Sequence, residues 1–238
     1  MVAEPRRPDS RTLALPGGGD IDLVVRRSAR ARRILLHVGQ IDGAVELVLP
    51  PGAALGEGLE FARDKAAWVA RRLDLVLPRV PFADGAEVPF MGVPLRIRRV
   101  DEPGATVRRI AGELFVPGRA DTVAGRVGRW YRLEARREIV GRANDKAERI
   151  GRPRGRVTVR DQRTRWGSCS ADGNLNFSWR LILAPEHVLD YVVAHEVAHL
   201  AEMNHGARFW RHVGRLCAEP DASRAWLRSR GASLHRFG

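Results

Sequence analysis

Cysteine is scarce in this chain: 238 residues carry two, Cys169 and Cys217, with neither short-range pairing nor a C-x-x-C spacing. A disulfide scaffold and a zinc ribbon are therefore excluded, and both thiols read as reduced. No run of about 18 apolar residues occurs, which excludes a membrane-spanning helix. The opening "MVAEPRRPDSRTLALPGGGD" lacks the apolar stretch that a secretory signal needs, so a cytoplasmic location is expected, with residues 1–20 as a flexible leader. Internal repeats, low-complexity linkers and a glycine-rich phosphate loop are also missing from the sequence. Lysine is nearly absent, since of 41 basic residues only Lys65 and Lys146 are lysine.

Arginine is abundant instead, and the formal net charge of +13 raises affinity for polyanions and leaves nucleic acid open as a partner. Against that, "LEARREIVGRANDKAERIGR" alternates the two signs as a solvated helix face does. With 44% hydrophobic and 29% charged residues, the chain has the composition of a folded globular protein. Its length permits one large or two small domains.

The pattern along the chain predicts an α+β fold. "DIDLVVRRS", "RRILLHVGQ" and "AVELVLPP" read as short strands separated by turns, and Leu55, Leu59, Phe61, Ala62, Trp68, Val69 and Leu73 fall near helical spacing on a covering helix. Further short strands follow, completing an amino-terminal α+β region over 21–120 that is a small β-sheet with a helix. A long helix is predicted over 121–150, capped by Asp121 or Thr122, with Trp130 and Tyr131 on its core side. Beyond it lie a strand over 156–160 and a hairpin whose arms, Trp166 to Ser170 and Asn174 to Trp179, meet at "ADG". Pro185 then opens a helix that runs into "YVVAHEVAHLAEMNHGARFW".

That last stretch carries the chemistry. His195 and His199 are four residues apart, so a helix projects both imidazoles from one face, with Glu196 beside them, as metal-dependent hydrolases require of H-E-x-x-H. A catalytic zinc takes three protein ligands and leaves one position open. His205 and Glu219 are both candidates for the third. His205 lies about 600° around a continuing helix from His199, off its face, so it requires the helix to stop; Asn204 and Gly206 tolerate the left-handed backbone of such a reversal. Glu219 stands 20 residues after His199 and precedes Pro220. Cys169, in the hairpin, could add a fourth ligand or a latency switch, or be a small buried apolar residue.

"RTRWGSCSADGNLNFSWRLILAPEHVLDYVVAHEVAHLAEMNHGARFW" resembles the YgjP-like metallopeptidase family, which pairs an R-W-G-S-C hairpin with H-E-x-x-H-L and a following N-H-x-x-x-F-W. "RRSARARRILLHV", the "KAAW" helix and "EPDASRAWLRSRG" are similar to that family's layout more weakly. The resemblance implies a carboxy-terminal minimal zincin-like domain over 121–238, with an active-site helix and an edge β-hairpin, distantly related to SprT-like proteases. It also implies that His195, His199 and His205 hold one Zn²⁺ and that Glu196 is the catalytic residue. The glycine expected three residues after the second histidine of metzincins is here Glu202.

The expected activity is hydrolysis of peptide bonds in a peptide or protein by metal-activated water, with Glu196 as general base. Tyr191, His212 and Arg165 are equal candidates for stabilising the oxyanion. Two alternatives stand beside it. One is a metal-dependent nucleotide pyrophosphohydrolase acting on UTP, a label some relatives carry. The other is a DNA-associated protease or a non-catalytic nucleic-acid-binding module.

Overall fold

A computed structural model describes residues 9–39 and 42–238. It is mixed α+β and divides into two compact units, Met1–Pro78 and Arg79–Gly238.

The first unit opens with a sheet of four strands, β1 (Asp9–Ala14), β2 (Asp20–Arg27), β3 (Leu35–Val38) and β4 (Val45–Leu49), in the order β1-β2-β4-β3. Alternation of apolar and polar residues sends Leu23, Val25, Val45, Leu47 and Leu49 inward. There they meet Ala62 of α1 (Leu55–Asp64) and Ala66 and Val69 of α2 (Ala66–Leu73). The single helix expected here is broken at Lys65. The leader expected over 1–20 differs too: residues 1–8 lie outside the described residues, but Asp9 to Ala14 pair in register with Val25 to Asp20. Burial of Leu13 fixes that strand.

The second unit begins with another four-stranded sheet, β5 (Glu87–Phe90), β6 (Val93–Val100), β7 (Arg108–Ile110) and β8 (Glu113–Pro117), ordered β5-β6-β8-β7. Its inward side chains, among them Val88, Leu95, Ile97, Leu114 and Val116, share one core with α3 (Ala120–Arg149) and with everything that follows. That shared core is why the compact unit starts at Arg79, whereas the sequence pattern suggested a boundary near 120. Helix α3 begins from Arg119 with no side-chain cap; Thr122 donates its hydroxyl to the Arg119 carbonyl instead of capping the helix.

The two sheets repeat one plan. Each has an antiparallel pair on either side of a central parallel pair. In the first, Glu46 stands opposite Val24 and binds Arg26, two residues further on. In the second, Glu113 stands opposite Arg96 and binds Arg98, again two further on. A proline follows at Pro50 and Pro117, and a helix follows each. The repeat escapes the sequence because it is preserved in register and inward apolar positions, and those accept many side chains.

A three-stranded sheet follows α3, ordered β10-β11-β9, from β9 (Val157–Arg160), β10 (Gly167–Cys169) and β11 (Leu175–Ser178). The hairpin β10–β11 turns at Gly173, whose φ of +74° needs glycine. Strand β10 has one neighbour, so it is an edge. A 3-10 turn (Trp179–Leu183) leads to α4 (Glu186–Ala198), then α5 (Ala207–Leu216) and α6 (Pro220–Arg230). Two contacts set the entry into α4. The Met91 amide donates to the Ile182 carbonyl at 2.7 Å, and Gly92, left-handed at φ +80°, presses on Pro185 so closely that a Cβ there would lie 2.9 Å from Pro185 Cα.

Candidate metal centre

Helix α4 is anchored on three sides before it presents anything to solvent. Val188, Leu189, Val192, Val193, Ala194 and Val197 are buried in the core. On the α3 side, Asp190 accepts from Lys146 Nζ at 2.9 Å and from Arg142 at 3.1 Å, and Lys146 also donates to the Leu216 carbonyl. From α6, the Ser223 hydroxyl donates to the His187 carbonyl at 3.1 Å. The helix therefore has little freedom to rotate, which fixes the side chains on its last turn.

His195 lies on that turn and His199 is the residue that caps it. The helix ends at Ala198, well before Asn204 and Gly206, where the sequence suggested the reversal. The Leu200 and Ala201 amides close tight turns onto the Val197 and Ala198 carbonyls. Nor does the reversal use left-handed backbone at Asn204 or Gly206; Gly206 is extended at φ −79° as it enters α5. The tightened turn frees the Glu202 carbonyl, which stands 3.1 Å from His199 Nδ1.

His195, His199 and His205 converge, with ligand atoms all within 4.8 Å of one another. His205 Nε2 comes within 3.1 Å of His195 Nε2. Phe209 of α5, fully buried, lies beneath all three rings at centroid distances of 4.9, 4.6 and 4.7 Å. The Tyr191 hydroxyl is 3.4 Å from His195 Nδ1. Outer polar groups thus occupy the Nδ1 side of His195 and His199 and leave Nε2 free to face inward, as metal-binding imidazoles are held. Burial first, then the neighbouring His199, His205 and Arg224, push His195 down to about 4, and burial also lowers His199. Neutral imidazoles with convergent lone pairs suit a divalent transition metal.

Glu196 points to the sheet side of the helix and is 7% exposed. Burial pushes its carboxyl up to about 7, with the Arg165 charge pulling the other way. Its neighbour was not anticipated. Gly167, on edge strand β10, lies against the carboxylate so closely that a Cβ there would be 2.6 Å from Glu196 Cγ and 2.7 Å from Oε1. The motif R-W-G-S-C contained the signal, a lone glycine inside a strand, which marks a close approach.

The other candidates fall elsewhere. Glu219 caps the start of α6 and lines a cleft with Asp145, Lys146 and Asp190, apart from the imidazoles. Cys169 is not grouped with the histidines; its thiol contacts the Ser170 carbonyl at 3.4 Å and is pushed up to about 11 by burial and then by the Glu196 charge. Trp166 packs on His235 and Gly231, as a hydrophobic anchor does. Of the three oxyanion candidates, Tyr191 is turned to His195, His212 has a buried Nδ1 with no hydrogen-bond partner among the described residues, and Arg165 acts on Glu196 through its charge.

This is a metal-dependent hydrolase of the peptidase class. The chain belongs to the family described as YgjP-like, metallopeptidase domain, which it matches over residues 32–230. Among solved structures it is similar to the metallopeptidase zymogen abylysin of Pyrococcus abyssi, at 21% identity over 39% of this chain and 92% of that one, with a TM-score of 0.34. No curated protein matches the chain. No helix among the described residues is long and apolar enough to cross a membrane.

Proposed function

We infer that the chain hydrolyses peptide bonds in an extended peptide or protein substrate, with His195, His199 and His205 holding one Zn²⁺ and Glu196 moving the proton. The observation that supports this reading best is the joint placement of three convergent imidazoles, a buried carboxylate and a free strand edge. A zinc ion bound there supplies a Lewis acid that polarises a carbonyl and lowers the pKa of water toward neutrality.

The chain's own residues supply the rest. His199 Nδ1–H donates to the Glu202 carbonyl and His195 Nδ1–H to the Tyr191 hydroxyl, so both rings keep the tautomer that offers Nε2. Glu196 takes the proton of the attacking water on a carboxylate oxygen and passes it to the leaving amine nitrogen. A carboxyl held near 7 is matched to both halves of that transfer. The outer edge of β10 offers main-chain donors and acceptors to an extended substrate, which brings its carbonyl past Glu196.

The test is Glu196→Gln, assayed for bound metal, casein and peptide cleavage, and UTP turnover. Retained metal with proteolysis reduced by about a hundredfold or more supports the reading. Unchanged proteolysis removes Glu196 from the mechanism, and loss of UTP turnover in a protein that never cleaves peptide assigns the site to the nucleotide reaction.

A further inference from the structure

Helix α3 sorts its charges onto different faces. Four of its five carboxylates, Asp121, Glu134, Glu138 and Asp145, are each bound by Arg119, Arg137, Arg142 or Arg149, and the fifth, Glu148, lies near its far end. Arg129, Arg132 and Arg136 take none of them. At 100° per residue these three fall within about 60° of one another, so they form one stripe. All three are exposed. With Gly125, Leu133 and Val159 of β9 they line a groove of about 380 Å³ whose lining, among the described residues, includes no carboxylate, although the Arg132 charge reaches Asp161. Arg132 is steadied by Trp179, its guanidinium 5.4 Å above the ring. Leu133, 60% exposed, interrupts the stripe with an apolar surface.

We propose that this groove between α3 and β9 docks the sugar–phosphate backbone of a nucleic acid. Arg129 and Arg136 have no carboxylate beside them among the described residues, Arg132 shares the field of Asp161, and in a chain of net charge +13 such a groove favours a polyanion. From residue 129 to 136 the helix rises about 10 Å, enough to meet about two successive phosphates of one strand. Guanidinium forks also bind phosphate oxygens in pairs. Strand β9 lies at the opposite edge of its sheet from β10, so a bound nucleic acid leaves the strand edge beside Glu196 clear.

The experiment measures binding of the full chain to a fluorescein-labelled 20-base-pair duplex by anisotropy between 50 and 200 mM salt. The Arg129→Gln, Arg136→Gln double variant is compared with an Arg63→Gln, Arg71→Gln double variant of equal net charge on the exposed faces of α1 and α2. The expected result is that the first variant weakens binding about tenfold and lowers the slope of log affinity against log salt by about 1.8, the share of two phosphate contacts, while the second leaves both unchanged. Peptidase activity and thermal denaturation stay as in the unsubstituted chain. Equal losses from both variants would assign the effect to net charge and overturn the proposal. So would absence of duplex binding at 50 mM salt, or displacement of the duplex by poly-glutamate as effectively as by unlabelled DNA.

Discussion

Gly167 and Glu196 touch so closely that no other residue fits at 167: an added Cβ would overlap both Cγ and Oε1 of the glutamate, at 2.6 and 2.7 Å. Edge strand and candidate base are thereby held as one piece, across the gap between sheet and helix. Gly167→Ala must push the carboxylate aside while leaving the neighbouring imidazoles, which Gly167 does not touch, in place. About a hundredfold loss in kcat is expected, with KM and bound metal little changed, because a displacement near 1 Å costs that much in a positioned reaction. Equal loss of metal would show that the glycine serves the helix rather than the glutamate.

Glu196 also links the site to stability. Its carboxyl is raised to about 7 from 4.5 because burial penalises the charged form. A raised folded-state value means a contribution present at pH below 4.5 and lost as pH rises through 7. In metal-free protein, Glu196→Gln, which cannot ionise, should therefore be more stable than the unsubstituted chain at pH 8 by up to about 3 kcal/mol, with the difference vanishing near pH 4.5. Urea denaturation at the two pH values measures it; a difference that does not change with pH is incompatible with a buried, titrating carboxylate.

The pair that holds α4 to α3 should be worth much more than the surface pairs around it. Lys146, 4% exposed, loses its charge partner in Asp190→Asn, and stability should fall by about 3 kcal/mol. Glu138→Gln, which removes partly exposed pairs to Arg137 and Arg142, should cost under about 1 kcal/mol. Chemical denaturation of the two variants gives the comparison, and similar losses would mean that Asp190 does not anchor the helix.

The choice between His205 and Glu219 can be measured directly. His205→Ala should lower metal content after dialysis against chelator by at least about tenfold in affinity, whereas Glu219→Ala should leave it unchanged. Metal analysis in which Glu219→Ala loses the ion would return the third position to the carboxylate.

Much of the site was legible because its signal is local. Two histidines four apart on an apolar helix can face one way only, and the strands and hairpin leading to them show in alternation and turn residues. Less legible was where α4 stops. The sequence offers Asn204 and Gly206 as left-handed residues, but the chain turns four residues earlier through tight amide contacts, because burial of Phe209 under the imidazoles draws α5 back against α4. The paired plan of the two four-stranded sheets was invisible for a related reason: apolar inward positions preserve hydropathy without preserving identity.

Sequence by itself determined the candidate metal-ligating residue types, their spacing on a helix and the α+β class, since these rest on periodicities of 3.6 and 2 that any segment carries within itself. Tertiary structure decided the rest. It brought His205 rather than Glu219 to the other two imidazoles and set Gly167 against Glu196. It also kept Arg129, Arg132 and Arg136 out of the ion pairs that join four of α3's carboxylates to other arginines. Each of these depends on which distant surfaces pack together, and that is fixed by burial over the whole core.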